Sequence, residues 1–238
     1  LYCDFSGCMD ICIGSAELFG IKLNENFNTP YFSENIQEFW QRWHISLNRW
    51  FINYIYIPLG GSRKSEFTKY INILIIFFIS GLWHGASYNF IIWGLLNGIA
   101  IIIYNLWKKI NIKISKFTSI LLTFIFVNLS WIFFKTTSFS KAILMLKNLT
   151  DSNNFRFTFG KNGISKLIGG EKELYVAIVG IVLVWIVDVC GGINNVRGKV
   201  GERNIVTRWL CYYFIIFSII IFGIYGDLKA SDFIYGAF

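Results

Sequence analysis

Apolar runs of membrane-spanning length recur along the chain and are separated by short polar or basic segments. A helix needs roughly 20 residues to cross a hydrocarbon layer about 30 Å thick. The apolar stretch at 71–107 would reach roughly 55 Å as one straight helix, which is too long for a single crossing. Small and polar residues at 80–87 interrupt it, so the pattern predicts two helices that meet near His84. Three further spans are predicted at 117–134, 174–190 and 209–226.

Residues 34–57 have a different pattern, in which apolar side chains recur at steps of three and four while polar ones fall on another side. This pattern predicts an amphipathic helix that lies at the membrane interface or packs against other helices. Ser33 is predicted to cap its start and Pro58 to end it. Residues 1–21 are predicted to be the end of a span or a buried segment. The predicted fold class is all-α: a multi-span helical membrane protein with an amphipathic or re-entrant helix near the site.

The composition and the charge distribution agree with membrane embedding. Of the 238 residues, 55% are hydrophobic and 15% are charged, whereas a globular domain usually carries about 25% charged residues. The formal net charge is +8, and many of the basic residues sit in short loops, where they indicate a cytoplasmic side rather than nucleic-acid binding. The loops at 107–116 and 191–208 are predicted to be cytoplasmic, and the long loop at 135–173 and the C-terminus extracytoplasmic. Membrane lipids are expected around the protein, and no nucleic acid is expected as a partner.

The five cysteines lie in or beside apolar runs, without a CxxC pair and far in sequence from the two histidines. Small apolar residues in helices explain this distribution better than a metal site or a set of disulfides does. We therefore expect no metal site and no bound cofactor.

His84 is the sharpest candidate for chemistry, because an ionisable residue at membrane depth costs solvation free energy and usually has a function. It lies between Gly81 and Gly85, at the predicted junction of two helices. A neutral imidazole there can take a proton from an acceptor hydroxyl as the hydroxyl oxygen attacks an acyl carbonyl. The alternative is a histidine that is hydrogen-bonded between helices for packing, and the functional role is favoured.

Four other polar residues are weaker candidates. His44 faces the apolar side of the amphipathic helix, where a functional role and a packing role are equally supported. Asp4 lies in the first apolar segment and could orient a histidine or a substrate, or serve helix packing. Arg42 and Arg49 share a face of the predicted helix and could bind the phosphate of a pantetheine-type donor. An interface anchor is the more frequent role of such a pair.

The chain ends in an aromatic segment at 232–238 that includes Tyr235. The residues themselves indicate a hydrophobic plug or a docking tail.

Five short motifs, in this order over residues 2–86, resemble the membrane-bound O-acyltransferase family. They are Tyr2-Cys3-Asp4-Phe5-Ser6-Gly7, Asn26-Phe27-Asn28-Thr29-Pro30-Tyr31, Phe39-Trp40-Gln41-Arg42-Trp43-His44-Ile45-Ser46-Leu47, Tyr56-Ile57-Pro58-Leu59-Gly60-Gly61 and Ser80-Gly81-Leu82-Trp83-His84-Gly85-Ala86. The branch they resemble is that of bacterial polysaccharide O-acetylases of the alginate type, related to the D-alanyl transferase for teichoic acid. Residues 107–230 carry no matching motif, and the terminal Phe-Ile-Tyr-x-x-Phe returns to the family pattern.

The resemblance implies an enzyme that moves an acyl group, acetyl in this branch, from a cytoplasmic thioester such as acetyl-CoA or an acyl carrier protein. The expected acceptor is a hydroxyl of an extracytoplasmic polysaccharide or of a partner protein. By its motif His84 is similar to the central catalytic histidine of the family, and His44 to its second recurrent histidine. Tyr235 is similar to a tyrosine that looks like an acyl relay. Candidate substrate-binding residues are Arg42, Asp4 and Trp83.

The same resemblance implies that residues 1–238 are a single membrane domain, the C-terminal half of a longer protein in the plasma or inner membrane. Two other interpretations stay open. A non-enzymatic transporter or channel would also place histidine and aspartate at membrane depth, but it would need neither Tyr235 nor a thioester. A lipid acyltransferase of the same family would act on membrane alcohols.

Overall fold

The computed structural model describes residues 1–151, 163 and 170–223. Within these ranges the chain is helical, with one isolated β-bridge and no strand, so the predicted all-α class is confirmed. The helices are α1 (Tyr2–Leu18), α2 (Ile36–Arg42), α3 (Ile45–Phe51), α4 (Glu66–His84), α5 (Tyr88–Ile110), α6 (Lys116–Lys135), α7 (Phe139–Thr150), α8 (Glu171–Val189), α9 (Ile193–Gly201) and α10 (Ile205–Phe222). A 3-10 turn at Pro30–Phe32 precedes α2, and a π-helical turn at Ile52–Tyr56 extends α3.

Four helices in the described part of the chain, α4, α5, α6 and α10, are long and apolar enough to cross a membrane. Helices α8 and α9 meet that condition only as a pair, which is bent by 78° at the break between them. The multi-span architecture is therefore confirmed. The predicted break within 71–107 is confirmed too, because α4 ends at His84 and α5 starts at Tyr88.

The last span and the long loop at 135–173 differ from the sequence prediction. The last span begins at Ile205 rather than at 209, because the Asn204 side chain accepts a hydrogen bond from a backbone N–H of the first turn. The long loop predicted at 135–173 contains α7, which begins after its cap Ser138. This helix has 12 residues, which is too short for the pattern of a span to reveal it.

The amphipathic helix predicted at 34–57 is wrong as one continuous element, because it is broken between α2 and α3. At the break His44 has φ 44° and ψ 55°, a left-handed conformation that is incompatible with a continuous right-handed helix. Steps of three and four persist across the break, so the apolar pattern alone did not reveal it.

Asn35 caps α2, and the prediction of Ser33 in that role is wrong. Asn35 Oδ1 accepts a hydrogen bond from the backbone N–H of Glu38 at 2.8 Å, and Glu38 Oε2 accepts one from the backbone N–H of Glu34 at 2.7 Å. These two bonds satisfy one backbone donor in the first turn of the helix and one just before its cap. Ser33 is buried and donates to the carbonyl oxygen of Pro30 at 2.7 Å, so its hydroxyl closes the preceding turn instead.

The described helices belong to two compact units. One unit starts at Met9 and holds the rest of α1 together with α2 to α7. The other combines the start of α1, Leu1–Cys8, with α8 to α10, and in it the Tyr2 hydroxyl donates to the two carboxylate oxygens of Asp188 at 3.1 and 3.2 Å. The single membrane domain expected over 1–238 stays a prediction.

Helices α4 and α5 run antiparallel, and their backbones come very close at two glycines. A Cβ on Gly94 would lie 2.1 Å from the carbonyl oxygen of Phe77, and one on Gly81 would lie 2.4 Å from the carbonyl oxygen of Phe90. Small residues at a crossing permit the close van der Waals packing on which helix association in lipid depends. This packing holds the C-terminal end of α4, which carries His84, against the first turns of α5.

We expect Gly94→Ala to destabilise the unit that contains α4 and α5. The added methyl group meets backbone rather than a mobile side chain, and forcing an atom into a packed contact costs about 1–3 kcal/mol. The measurement is the midpoint temperature of unfolding in detergent. Gly180→Ala is the matched control, because a Cβ on this α8 glycine meets nothing within 4 Å. Equal midpoint temperatures for the two variants would contradict the expectation.

Candidate active site

His84 is the last residue of α4, and 4% of its surface is exposed. The helix stops there because Gly85 adopts φ 149°, and the Gly85 N–H donates to the carbonyl oxygen of Leu82 at 3.1 Å. A side chain at position 85 would be strained, and its Cβ would lie 2.8 Å from the ring of Phe90. The glycine after the histidine therefore ends the helix and leaves room for the neighbouring aromatic ring.

Aromatic rings from three helices enclose the imidazole of His84. The ring centroids of Trp83, Phe134 and Trp93 lie 4.8, 4.9 and 5.2 Å from the imidazole centroid, each nearly perpendicular to it. The Phe90 ring lies at 6.2 Å. Edge-to-face packing of this kind is favourable and fixes the orientation of the rings. The imidazole thus has a defined position in largely apolar surroundings.

His44 occupies the left-handed turn that separates α2 from α3. Its Nδ1 lies 3.4 Å from Oδ1 of Asn26, and the same oxygen accepts hydrogen bonds from the backbone N–H of Ser46 at 3.1 Å and from its hydroxyl at 2.6 Å. The Ile45 N–H donates to the backbone carbonyl of Asn26 at 3.0 Å. Burial lowers the pKa of His44 from 6.5 to about 4, so this imidazole is neutral at physiological pH.

A chain of indole contacts connects the turn at His44 with the pocket around His84. Trp43, the residue before His44, lies 5.0 Å from Trp131 between ring centroids. Trp131 stacks on Trp93 at 5.5 Å with an interplanar angle of 22°, and Trp93 in turn contacts His84. The two histidines therefore belong to one packed aromatic cluster, although they lie on different elements.

A cavity of about 390 Å³ lies among α2, α3, α4 and α5. Its wall on α4 includes Lys69, Ile73, Phe77 and Ser80. These residues follow one another at steps of three and four, which places them on one face of the helix, and the next step of four reaches His84. The polar residues that line the cavity include Gln37, Gln41, Asn48, Arg49, Lys69, Ser80 and Asn105.

The cavity is basic where Lys69 and Arg49 line it and mostly apolar along its length. Lys69 Nζ donates to Asn105 Oδ1 at 3.3 Å, which holds the ammonium group between α4 and α5. Two cations beside an apolar channel suit a ligand with an anionic head and a long uncharged arm.

Of the predicted substrate-binding residues, Arg42 and Trp83 do not line this cavity, and Asp4 belongs to the other compact unit. Arg42 forms an ion pair with Glu38 at 2.5 Å and donates to Thr29 Oγ1 at 3.1 Å, so its guanidinium holds the segment before α2. Asp4 lies in the first turn of α1 and is exposed. Trp83 is half exposed and packs against both His84 and Phe51.

Tyr235 lies outside the described residues. Within the described ranges, no group of three or more His, Cys, Asp or Glu side chains could hold a metal ion.

Sequence reasoning missed several residues that the structure brings to the site. Lys69 received no role from the sequence alone, although its spacing to Ile73, Phe77 and His84 marks one face of α4. Similar spacing relates Asn89 to Trp93 on α5. The sequence shows these steps of four. It does not show which face of α4 or α5 lines a cavity, because that depends on how the helices pack.

Comparison with known proteins gives consistent results. A family model described as the membrane-bound O-acyltransferase family matches residues 1–140. The chain is 46% identical over 157 residues to a peptidoglycan O-acetyltransferase of Helicobacter pylori, a match that covers 64% of the chain and 30% of that protein. It is 38% identical over 168 residues to a probable alginate O-acetylase AlgI of Pseudomonas aeruginosa, covering 70% of the chain and 31% of that protein.

A teichoic acid D-alanyltransferase of Bacillus subtilis is 36% identical over 120 residues, covering 48% of the chain and 30% of that protein. The matches thus span about a third of the length of these relatives. The family model covers more than half of the chain, including every motif from residue 2 to residue 86. The chain therefore belongs to the membrane-bound O-acyltransferase family.

Proposed function

We propose that the protein transfers an acyl group, acetyl by preference, from a thioester donor to a hydroxyl of a cell-envelope polymer. The observation that carries this proposal is the cavity, whose wall on α4 runs from Lys69 to Ser80 and ends one turn before His84. The names of the relatives support the polymer class, since they act on peptidoglycan, alginate and teichoic acid.

The cavity receives the donor. Arg49 and Lys69 bind its phosphate groups, and the apolar wall accepts its uncharged arm. From Lys69 to Ser80 the rise of the helix amounts to about 16 Å, so a donor anchored by its phosphates must reach His84 through an extended arm. Acetyl-CoA and an acylated carrier protein both carry such an arm.

His84 acts as the general base. An unprotonated ring nitrogen accepts the proton of the acceptor hydroxyl while the hydroxyl oxygen forms a bond to the thioester carbon, and the π electron pair moves onto the carbonyl oxygen. When that pair re-forms the double bond, the carbon–sulfur bond breaks. Sulfur leaves with the bonding electrons and takes the proton from His84. The products are an ester and a free thiol.

The aromatic enclosure of His84 protects the reaction from water. Four rings contact the imidazole, and 4% of the residue's surface is exposed. Excluding water prevents hydrolysis of the thioester and strengthens the polar interactions that act on the reacting atoms.

The basic end of the helical unit faces the cytoplasm in this proposal. Lys109 at the end of α5 forms an ion pair with Glu66 at the start of α4, so these two ends lie on the same side. Lys108 precedes Lys109 directly, and Lys113 and Lys116 follow it in the sequence. Short basic loops of this kind favour the cytoplasm. The donor thus enters from the cytoplasm, and the acyl group leaves on the other side, where Tyr235 or a partner protein passes it to the polymer.

His44 is a positioning residue that acts through the turn it occupies. Its contact with Asn26 holds the start of α3, and Arg49 and Asn48 of this helix line the cavity. Because burial keeps the imidazole neutral, protonation would place an uncompensated charge in the aromatic cluster.

We expect His84→Ala to reduce acyl transfer by about 100- to 10,000-fold, the usual contribution of a general base. The assay uses membranes with the full-length protein and radiolabelled acetyl-CoA, and it measures label in cell-wall polymer. Tyr88→Phe is the control, because this nearby tyrosine on α5 is 83% exposed. Full transfer by His84→Ala at a normal protein level would refute the role of the histidine. Absence of transfer in the wild type, with polymer and partner proteins present, would instead favour another donor or a transporter.

Arg49→Gln and Lys69→Gln are each expected to raise the KM for acetyl-CoA about tenfold with little change in kcat. Each substitution removes one charge-assisted contact to the donor phosphates. Steady-state kinetics at several donor concentrations measures both constants. Lys108→Gln is the matched control, since this exposed lysine lies at the same end of the unit but does not line the cavity. A KM that is unchanged in both variants would argue against this entry route.

The stability of the protein is expected to fall between about pH 6.5 and about pH 4 in a way that depends on His44. The unfolded chain binds a proton at this histidine near pH 6.5, whereas the folded chain does so only near pH 4, so the unfolded state is favoured as the pH falls through this window. His44→Asn should weaken this dependence and preserve the turn, because asparagine tolerates left-handed backbone. The test measures the midpoint temperatures of the wild type and His44→Asn at about pH 7.5, 6, 5 and 4, which span the window between the two pKa values. Parallel plots of midpoint temperature against pH for the two proteins would contradict the expectation.

A further inference from the structure

Three buried side-chain atoms in the helices around His84 have no hydrogen-bond partner within the part of the chain that the structure describes. They are the indole nitrogens Nε1 of Trp93 and Trp131 and the amide oxygen of Asn89. Their residues are 1%, 7% and 2% exposed. Burying a polar group without a partner costs free energy, and such groups in native proteins are few. An unmatched donor that lies beside a candidate catalytic group, as in Trp93, therefore points to a ligand that brings the complementary atom.

The orientation of Asn89 is set by its neighbours. Asn89 Nδ2 donates to the backbone carbonyl of Thr136 at 2.7 Å and contacts Thr136 Oγ1 at 3.1 Å. The amide nitrogen is thus used for linking α5 to the end of α6, which leaves the oxygen as the unmatched atom. Asn89 and Trp93 are four residues apart and share a face of α5, so one unmatched acceptor and one unmatched donor lie on the same side of this helix.

Trp93 is the donor nearest to the proposed chemistry. Its ring lies 5.2 Å from the imidazole of His84 and stands nearly perpendicular to it. Phe134 packs against both rings, and Trp131 stacks on the other side of the cluster. This packing leaves the Trp93 indole little freedom to turn its N–H elsewhere.

The indole of Trp40 in the same cluster has a hydrogen-bond partner, whereas those of Trp93 and Trp131 have none within the part of the chain that the structure describes. Trp40 Nε1 donates to Asn97 Oδ1 at 3.2 Å, and Asn97 Nδ2 donates to the backbone carbonyl of Trp93 at 2.8 Å. The carbonyl group of Trp93 is therefore engaged, and its indole N–H is not. The same crowded region thus satisfies the half-buried indole of Trp40 and leaves the buried one beside His84 unmatched.

We propose that the Trp93 N–H donates a hydrogen bond to the carbonyl oxygen of the acyl group that is transferred, with the Trp131 N–H as a second donor in the same pocket. No bond to either residue forms or breaks. The hydrogen bond strengthens as the π electron pair moves onto the carbonyl oxygen and weakens when the double bond re-forms. Donors fixed before the reaction stabilise this developing charge more than water does, because they need no reorganisation. The inference rests on the proposed function, since it names a further group that acts on the same substrate.

The test compares the wild type with Trp93→Phe, which keeps an aromatic ring and removes the N–H. We expect kcat for transfer from acetyl-CoA to fall about 100-fold, as is usual for loss of one donor to a developing oxyanion, with a small change in KM. Trp107→Phe is the matched control: it makes the same substitution on the same helix, at an indole residue that is 41% exposed.

Binding of two coenzyme A analogues separates a contact with the carbonyl oxygen from a packing effect. One analogue is the methyl ketone in which CH2 replaces the thioester sulfur, and the other is S-ethyl-CoA, which has no carbonyl group. The wild type and Trp107→Phe should bind the ketone more tightly than S-ethyl-CoA, and Trp93→Phe should lose that preference. A general loosening of the packing around His84 would weaken the binding of both analogues to the same extent. If Trp93→Phe does not fold, β-(3-benzothienyl)alanine at position 93 keeps the bicyclic shape without the N–H.

The outcomes distinguish this inference from the proposed function. Normal kcat and an intact preference for the ketone in the Trp93 variant, with transfer still dependent on His84, would overturn the inference and leave the acyltransferase. This result is expected if the Trp93 N–H contacts only water or a neighbouring aromatic ring and not the carbonyl oxygen of the acyl group. Absence of both transfer and analogue binding in the wild type would overturn the proposed function and this inference with it.

Discussion

The close contact between the backbones of α4 and α5 is the constraint on which the site depends. Gly81 and Gly94 let the two helices approach until a methyl group would collide with a backbone carbonyl. In lipid no hydrophobic driving force brings helices together, so tight packing has to do so. At this distance the end of α4 meets the first turns of α5, and the ring of Trp93 can contact the imidazole of His84. A larger distance between the helices would open the aromatic enclosure and admit water to the imidazole of His84, from which the proposed reaction requires water to be excluded.

The position of α3, which lines the cavity, depends on a break in the helix at His44 rather than on regular helix packing. The left-handed residue His44 divides what would be one amphipathic helix. Asn26 contacts the three consecutive residues His44, Ile45 and Ser46 of this turn through its side chain and its backbone carbonyl. Because α3 starts anew after this turn, Arg49 lines the cavity while Arg42 is bound to Glu38. Two arginines on one face of a continuous helix would have had similar surroundings, and the break gives them different ones.

Much of the fold was predictable because a membrane span requires a long apolar run. Such a run can be recognised in the sequence without knowing how the helices pack. The junction at His84 was predictable for the same reason, since 71–107 is too long for one crossing. The break at His44 was not, because left-handed backbone leaves the apolar spacing intact. The presence of Lys69 and Arg49 in the wall of one cavity, and the unmatched indole of Trp93, depend on which helix faces meet. That choice is made by contacts such as Gly94 against Phe77, which a single sequence does not reveal.

Lys69 and His84 stand on the same uninterrupted helix, with no loop between them to absorb a change in length. Removing one residue from this stretch would shift the histidine by only about 1.5 Å along the axis, but it would turn the side chain by about 100°. The imidazole would then leave the aromatic enclosure altogether. A change in the number of residues between the lysine and the histidine would therefore turn or displace the histidine relative to the cavity. A homologue adapted to a longer or shorter donor should differ in the residues that line α4, or in insertions outside it, while the register from the lysine to the histidine stays fixed.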